Sequence, residues 1–235
     1  MQVANYDGIA HWLDGAIRRY KRSEGNILLD LACGSGSLSL RMQALGYDVI
    51  GVEESPEMLS QAMAKGAGSV LFLCQPLAQL DLYGTVDVCV STLDSLSHIT
   101  DRAVLQRVLR RVSLFLDPGG VFLFDANTVY KHRERLAGQT FVYDLEDVYC
   151  VWQNSLRADG VTVDIDLDFF IEDAPGCYRR TEEHFSERAY TLAEWSAMLA
   201  EAGLVLDAAF DDYSDRTVSD RTERLVLICT KAPVN

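Results

Sequence analysis

The chain predicts a doubly wound α/β fold: a seven-stranded, mostly parallel sheet with an antiparallel β cap inserted after the fifth strand. Three observations carry this. Short apolar runs alternate with helical stretches over the first 130 residues, as in a parallel sheet covered on both faces. A glycine-rich turn, Gly34-Ser35-Gly36, follows the first apolar run. After about residue 138 the pattern changes to strict alternation, the mark of half-buried antiparallel strands.

Residues 9–22 read as a helix, ended by Gly25-Asn26. Ile27 to Leu31 is the first strand, and a helix starts near Leu38 and stops at Gly46, where a left-handed residue is needed. Val49 to Val52 is the second strand. Ser55-Pro56 opens a helix with a side-chain cap and a first-turn proline. Val70–Leu73, Val86–Ser91 and Val121–Phe124 are further strands, with a helix over 101–116 and a turn at Asp117-Pro118-Gly119-Gly120. VDVCV and VFLF are almost wholly apolar, as strands buried on both faces must be.

The inserted part runs over 139–190, between a first core segment, 1–138, and a last one, 191–235. Its strands are expected at 141–152, 161–170 and 177–190, with turns at Asp159-Gly160 and Ala174-Pro175-Gly176. Asp164, Asp166 and Asp168 share one strand face, read as the solvent side. Thr191 and Glu194 form a capping box for helix 192–202. Strands 204–210 and 224–230 finish the sheet as a hairpin. The acidic run Asp211–Asp215 is the loop between them.

Net charge is −14, from 21 basic and 35 acidic residues. Such a chain repels polyanions, which argues against a nucleic-acid partner and permits a cationic or neutral small molecule. No apolar run reaches the roughly 20 residues that a membrane span needs, and the first residues lack the basic-then-apolar pattern of an export signal. A cytoplasmic protein is expected. The six cysteines include no C-x-x-C pair and read as reduced thiols, with no metal site.

The chemistry is concentrated at Asp30-Leu31-Ala32-Cys33-Gly34-Ser35-Gly36. Glycines let the backbone turn tightly and approach a ligand. The helix that follows offers free N–H groups and a positive end to an anionic group. A dinucleotide site would want G-x-G-x-x-G or a final alanine, and here Ser39 stands third.

The acid-x-small-x-G-x-G pattern of Asp30, Ala32, Gly34 and Gly36 resembles the first motif of the class I S-adenosylmethionine (SAM) dependent methyltransferases. The likeness extends along nearly the whole chain, through Gly51-Val52-Glu53-Glu54-Ser55-Pro56 and Val86–Leu96. It is greatest to small bacterial members with a β-rich cap, through Tyr6-Asp7, Asp94-Ser95-Leu96, Glu182-Glu183-His184 and Arg188-Ala189-Tyr190. The resemblance implies a Rossmann-like core that binds SAM and releases S-adenosylhomocysteine. It implies a cofactor set of Tyr6, Asp30, Ala32, Cys33, Gly34, Ser35, Gly36, Glu53, Glu54, Met58, Gln75, Pro76, Leu77 and Leu93. Glu53 takes the place of the acid that holds both ribose hydroxyls, a task suited to a double acceptor.

One position departs from the family. Pro76 stands where an acid usually receives the adenine amino group, and proline supplies neither that acceptor nor an N–H. Gln75 or a backbone carbonyl is the expected substitute. One lost hydrogen bond costs about 0.5–1.5 kcal/mol. The departure keeps open a non-catalytic SAM-binding or SAM-fold regulatory protein beside the active enzyme.

Methyl transfer from a sulfonium depends chiefly on holding the partners in line. A neutral amine needs no base, whereas an alcohol or phenol does. An amine is therefore the expected acceptor. Asp94, His98 and His184 are the candidate catalytic residues. Tyr178 and Tyr190 are the candidate substrate contacts, and Trp152 reads as core. Oligomeric state is not legible.

Overall fold

The computed structural model describes residues 4–66, 68–174 and 176–231. Helix α1 (Tyr6–Tyr20) precedes strand β1 (Ile27–Leu31). There follow α2 (Ser37–Ala44), β2 (Asp48–Glu53), α3 (Pro56–Gly66), β3 (Leu71–Cys74), β4 (Val86–Ser91), α4 (Arg102–Phe115) and β5 (Leu116–Asn127). Strands β6 (Thr140–Asp144), β7 (Val148–Leu156), β8 (Thr162–Ala174) and β9 (Cys177–Arg188) come next. Helix α5 (Leu192–Glu201), β10 (Leu204–Asp211) and β11 (Arg224–Lys231) close the series.

The main sheet has the order β10-β11-β5-β4-β1-β2-β3. β1 pairs parallel with both β2 and β4, and the crossover directions diverge there. Only β11 runs against its neighbours, β5 and β10. The apolar strands feed two cores. Leu28, Val88, Val90, Val121 and Leu123 face one side, beneath α1, α2 and α3. Leu29, Leu31, Cys89, Phe122 and Phe124 face the other, with Trp195 and Met198 of α5 and Leu105 and Leu109 of α4. Neighbouring residues on one strand thus serve opposite cores, which is why these strands are almost wholly apolar.

The caps form as their sequences require. Asp101 accepts from Ala103 N at 2.7 Å and Val104 N at 3.3 Å. The Thr191–Glu194 capping box is complete in both directions. The hydroxyl of Ser55 accepts from Met58 N at 3.2 Å.

The second sheet, β6-β7-β8-β9, is antiparallel throughout. The alternating run expected as one strand over 141–152 is two. β6 and β7 pair from Thr140↔Gln153 to Asp144↔Tyr149, reversing through Leu145-Glu146-Asp147. Asp147 is the one turn-forming residue in that reversal, with no glycine, proline or asparagine beside it, so the local signal is weak. Gly160 turns left-handed at φ 70°, as the Asp159-Gly160 turn requires. In the following turn Pro175 lies outside the described residues. Asp117–Gly120 begins β5 instead of forming a free turn. Gly119 there is left-handed, and its carbonyl accepts from Arg22 N and Ser23 N at 2.7 and 3.0 Å. A wide helical turn over Lys131–Leu136 had no sequence signal. It closes with Ala137 N donating to His132 O, five residues back. No helix among the described residues is long and apolar enough to cross a membrane.

One packing detail supports the glycine-rich turn. The Phe72 ring lies under three glycines. A Cβ on Gly51 would sit 2.6 Å from its Cδ1, on Gly36 2.9 Å from its Cζ, and on Gly66 3.0 Å from its Cε2. Gly51 has no left-handed φ, so its substitution isolates the steric effect. Gly51→Ala is expected to destabilise the fold by about 1–3 kcal/mol through overpacking, measured as a lower thermal unfolding midpoint.

Candidate active site

The turn after β1 is left-handed at Ala32 (φ 62°), Gly34 (55°) and Gly36 (72°). Cys33 N donates to Val52 O at 3.0 Å, tying the turn to β2. The Glu53 carboxylate closes it. Its Oε2 accepts from Gly34 N at 2.9 Å, and its Oε1 accepts from Glu54 N and Ser55 N, each at 3.0 Å. A side chain at Gly34 would meet only the Met58 methyl, at 3.4 Å. The crevice is therefore open above Gly34, whereas Gly36 is backed by the Phe72 ring.

Asp30 lies beneath, 1% exposed. It accepts a 2.5 Å hydrogen bond from Ser39 Oγ of α2. Burial pushes its pKa up to about 6. Ser39, which spoils the dinucleotide pattern, is thus the helix's anchor to β1. Ser35 is held from outside, its hydroxyl accepting from Lys65 Nζ at 2.8 Å. Tyr6 is half-buried with the Arg41 guanidinium over its ring, and Arg41 pairs with Asp7 at 2.5 Å. The Tyr6-Asp7 pair is thereby fastened to α2, next to the turn.

At β3 the expectation for Gln75 needs correcting. Its amide is spent on the backbone of Asp81, donating to Asp81 O at 3.1 Å and accepting from Asp81 N at 2.9 Å. Pro76 caps the short turn Leu77–Gln79, and its carbonyl accepts from Gln79 N at 2.8 Å. Leu77 is half-buried against the core.

The other end of the crevice lies beyond β4 and β5. Leu93 (φ 58°) and Asp94 (φ 55°) are consecutive left-handed residues, a conformation that costs on the order of 1–3 kcal/mol for each non-glycine residue. Asp125, fully buried, holds them. It accepts from Leu93 N at 2.9 Å, from Asp94 N, from the Tyr213 hydroxyl, and from Arg224 at 2.7 Å. Arg224 also lies 3.6 Å from Asp94 and 3.8 Å from Asp212.

Asn127 joins this group to the cap. Lys131 Nζ donates to its Oδ1 at 2.7 Å, which turns its Nδ2 toward two carboxylates. Nδ2 donates to Asp94 Oδ2 at 2.6 Å and to Glu187 Oε2 at 2.7 Å. Glu187, on β9, is buried, and burial with Asp94 nearby pushes its pKa up to about 7. His98 Nε2 lies 3.6 Å from Glu187 Oε1, its ring tilted on Phe185.

Beside this cluster opens a cavity of about 650 Å³. Its walls are Ala4, Asn5, Gly8 and Ile9, Leu93, Tyr143 and Trp152 of the cap, and Asp212, Tyr213 and Arg224. Trp152, expected as core, is half-buried and forms part of this wall, packed on Phe141 and Tyr143.

Of the candidate catalytic residues, the fold brings Asp94 and His98 together. His184 is elsewhere, on the outer face of the cap, bonded to Asp166 at 2.7 Å. Tyr178 is exposed at the far end of the cap, near Tyr149 and Phe170. Tyr190 is 1% exposed in the core against Trp195. Parity explains the exchange of His184 for Glu187: on β9 Phe185 marks the inner face, so Glu187 points inward and His184 outward. Asp125, Asn127, His132, Tyr213 and Arg224 were not singled out by the sequence. The available signal was the sudden polarity of Asp125 and Asn127 at the end of an apolar strand.

A methyltransferase-domain family model matches residues 28–120. The Bacillus subtilis (strain 168) protein named "Putative methyltransferase YqeM" is 31% identical over 235 residues, covering 99% of this chain and 93% of that one. The crystal structure of a SAM-dependent methyltransferase from Clostridium acetobutylicum ATCC 824 superposes with a TM-score of 0.90 at 29% identity, over 98% of this chain and 93% of that one. This chain belongs to the SAM-dependent methyltransferases. SAM-bound CalS10 from Micromonospora echinaspora shares the fold, with a TM-score of 0.79 at 21% identity, over 97% and 92% of the two chains.

Membership of this family sets aside the dinucleotide oxidoreductase reading. The reaction end of the crevice depends on Asp125. Asp125→Asn removes the buried charge that accepts from Leu93 N, Asp94 N and half-buried Arg224, and is expected to cost about 1–3 kcal/mol. The check is denaturant or thermal unfolding, with unchanged stability as the contrary result.

Proposed function

We propose that this methyltransferase transfers the SAM methyl group to the amine nitrogen of a small cationic acceptor bound in the 650 Å³ cavity. The observation that carries this is the charge around Arg224. The cavity's lining arginine is ringed by Asp94, Asp125 and Asp212, so carboxylates outnumber it. A negative cavity favours an ammonium group. Tyr143, Trp152 and Tyr213 add aromatic faces, which also attract cations. Relatives include both N- and O-methyltransferases: the ubiquinone biosynthesis O-methyltransferase of Bradyrhizobium sp. (strain ORS 278) is 28% identical over 47% of this chain. Glycine/sarcosine N-methyltransferase of Halorhodospira halochloris is 28% identical over 52% of this chain, and the fold is shared with a sugar N-methyltransferase, KedS8.

The proposed cofactor set is centred on Gly34, Glu53 and the N-terminus of α2. The fixed Glu53 carboxylate suits paired ribose hydroxyls, and the open face of Gly34 admits a close ligand. Tyr6, Met58, Leu77 and Leu93 frame the crevice. Bound SAM supplies an electrophilic methyl on a sulfonium. The chain's part is to orient the acceptor nitrogen, exclude water and accept a proton. Asp94 presents its carboxylate beside the cavity, where it holds the amine.

Three outcomes are expected. Glu53→Ala raises the Kd for SAM by about tenfold or more, a loss of at least about 1.4 kcal/mol, by titration calorimetry. An S-adenosylhomocysteine release assay on a panel of amines, amino sugars and phenols shows turnover with amines. Trp152→Ala raises KM for the amine by about tenfold with little change in kcat. Turnover confined to phenols would overturn the amine assignment.

A further inference from the structure

We infer that Glu187 removes the proton from the incoming ammonium group and passes it through His98 to solvent, with His132 held as a neutral partner to the protonated carboxyl. This rests on the amine reading and deepens it. An amine acceptor arrives at neutral pH as R–NH3+, which has no lone pair. It must lose a proton before a C–N bond can form.

The geometry supplies that step. Asp94 Oδ2 and Glu187 Oε2 both lie within 2.7 Å of one atom, Asn127 Nδ2. The two carboxylates are thus close enough for one ammonium to bridge them. Glu187 Oε1 faces His98 Nε2 at 3.6 Å, and the His98 side chain is 44% exposed, so it connects the buried carboxyl to solvent. Glu187 Oε2 faces His132 Nε2 at 3.8 Å. The His132 ring is fully buried, and its Nδ1–H donates to Val161 O at 2.8 Å. This leaves the lone pair on Nε2, an atom without a hydrogen-bond partner. A buried acceptor with no donor is costly. A protonated Glu187 is the donor that would satisfy it.

The groups facing this trio decide the direction of proton flow. Asp94 from the β4 loop opposes ionisation of Glu187, while Lys131 and Arg224 favour it, and Asn127 bonds the ionised form. Burial lowers the pKa of both imidazoles. Asp94 acts against this at His98. At His132 Lys131 adds to it, while the Val161 carbonyl, Asp94 and Asp159 act against it, and burial outweighs them. His132 is thus the imidazole held neutral, and the solvent-facing His98 is the exit. The step balances. R–NH3+ and Glu187–COO⁻ give R–NH2 and Glu187–COOH. The nitrogen lone pair forms the N–CH3 bond as the C–S bond breaks, its electron pair staying on sulfur. Glu187 returns its proton through His98 to water.

The test combines imidazole ¹⁵N titration with pH profiles of kcat/KM, on wild type, Glu187→Gln and His98→Ala. In wild type, kcat/KM for an amine falls as pH drops below about 7, where Glu187 becomes protonated. In Glu187→Gln it falls at least tenfold at pH 7, then rises tenfold per pH unit above 7 with the free-base fraction of the amine. Added imidazole restores His98→Ala turnover. By NMR, His132 keeps the Nδ1–H tautomer at neutral pH, and the His98 ¹⁵N signals show a step near pH 7, where Glu187 becomes protonated, that Glu187→Gln removes. Amine turnover with an unchanged Glu187→Gln profile overturns the proton route and leaves the amine reading standing. No amine turnover in wild type, with the His98 step present, overturns the amine reading and retains the carboxyl–imidazole pair. A His98 without that step overturns the pair itself.

Discussion

Asp125 is a buried carboxylate on which four donors from three segments converge. Two are the backbone N–H groups of Leu93 and Asp94, one is the Tyr213 hydroxyl, and one is the Arg224 guanidinium. The left-handed pair at 93–94 cannot persist by its own preferences. Without an acceptor beneath it, the β4 loop would have no reason to hold Leu93 in the cavity wall. The same carboxylate draws in Arg224 from the neighbouring strand β11 and Tyr213 from the β10–β11 loop. The end of β4, the end of β5 and the β10–β11 loop are thus one electrostatic unit, and the cavity wall is built from it.

The cofactor end is organised by a different force. Phe72 fills the space beneath Gly36, Gly51 and Gly66, so the turn there is set by packing. Glu53 then adds three charge-assisted hydrogen bonds to the loop backbone. Asp30 anchors α2 through Ser39 while remaining buried. Sterics places the backbone, and carboxylates fix it. Both ends of the crevice use an acid that accepts main-chain N–H groups, which is why acids cluster where apolar strands end.

The α/β core was legible because its signals are local: apolar runs, caps and glycine stops. Core strand boundaries fell within a few residues except at β5, expected over Val121–Phe124 and found over Leu116–Asn127, and the terminal hairpin was foreseen. The hairpin at Leu145-Glu146-Asp147 was not, because Asp147 alone is a weak turn signal. Nor was the helical turn holding His132. The glycine turn and Glu53 stand next to each other in space as their spacing implied. The reaction end was less legible because it is assembled from distant segments. Glu187, Arg224 and Tyr213 meet Asp94 only through tertiary packing. On β9 the choice between His184 and Glu187 depended on which face of the strand was inward.

The chain's acidity takes two forms. On the outer face of the cap, Asp164 pairs with Arg157, Asp166 with His184 and Asp168 with Arg180. Those acids are bonded to exposed basic side chains and contribute little to stability or recognition. Around the cavity the balance reverses. Arg224 is shared among three carboxylates, and Lys131 is turned to the Asn127 amide. Asp94 and Asp125 lie at low exposure, where water screens charge least, while Asp212 is open to it. A net charge of −14 disfavours polyanions over the whole surface. The proposed preference for a cationic acceptor rests instead on the local excess, because the acids at the cavity are the ones whose nearby cations are too few.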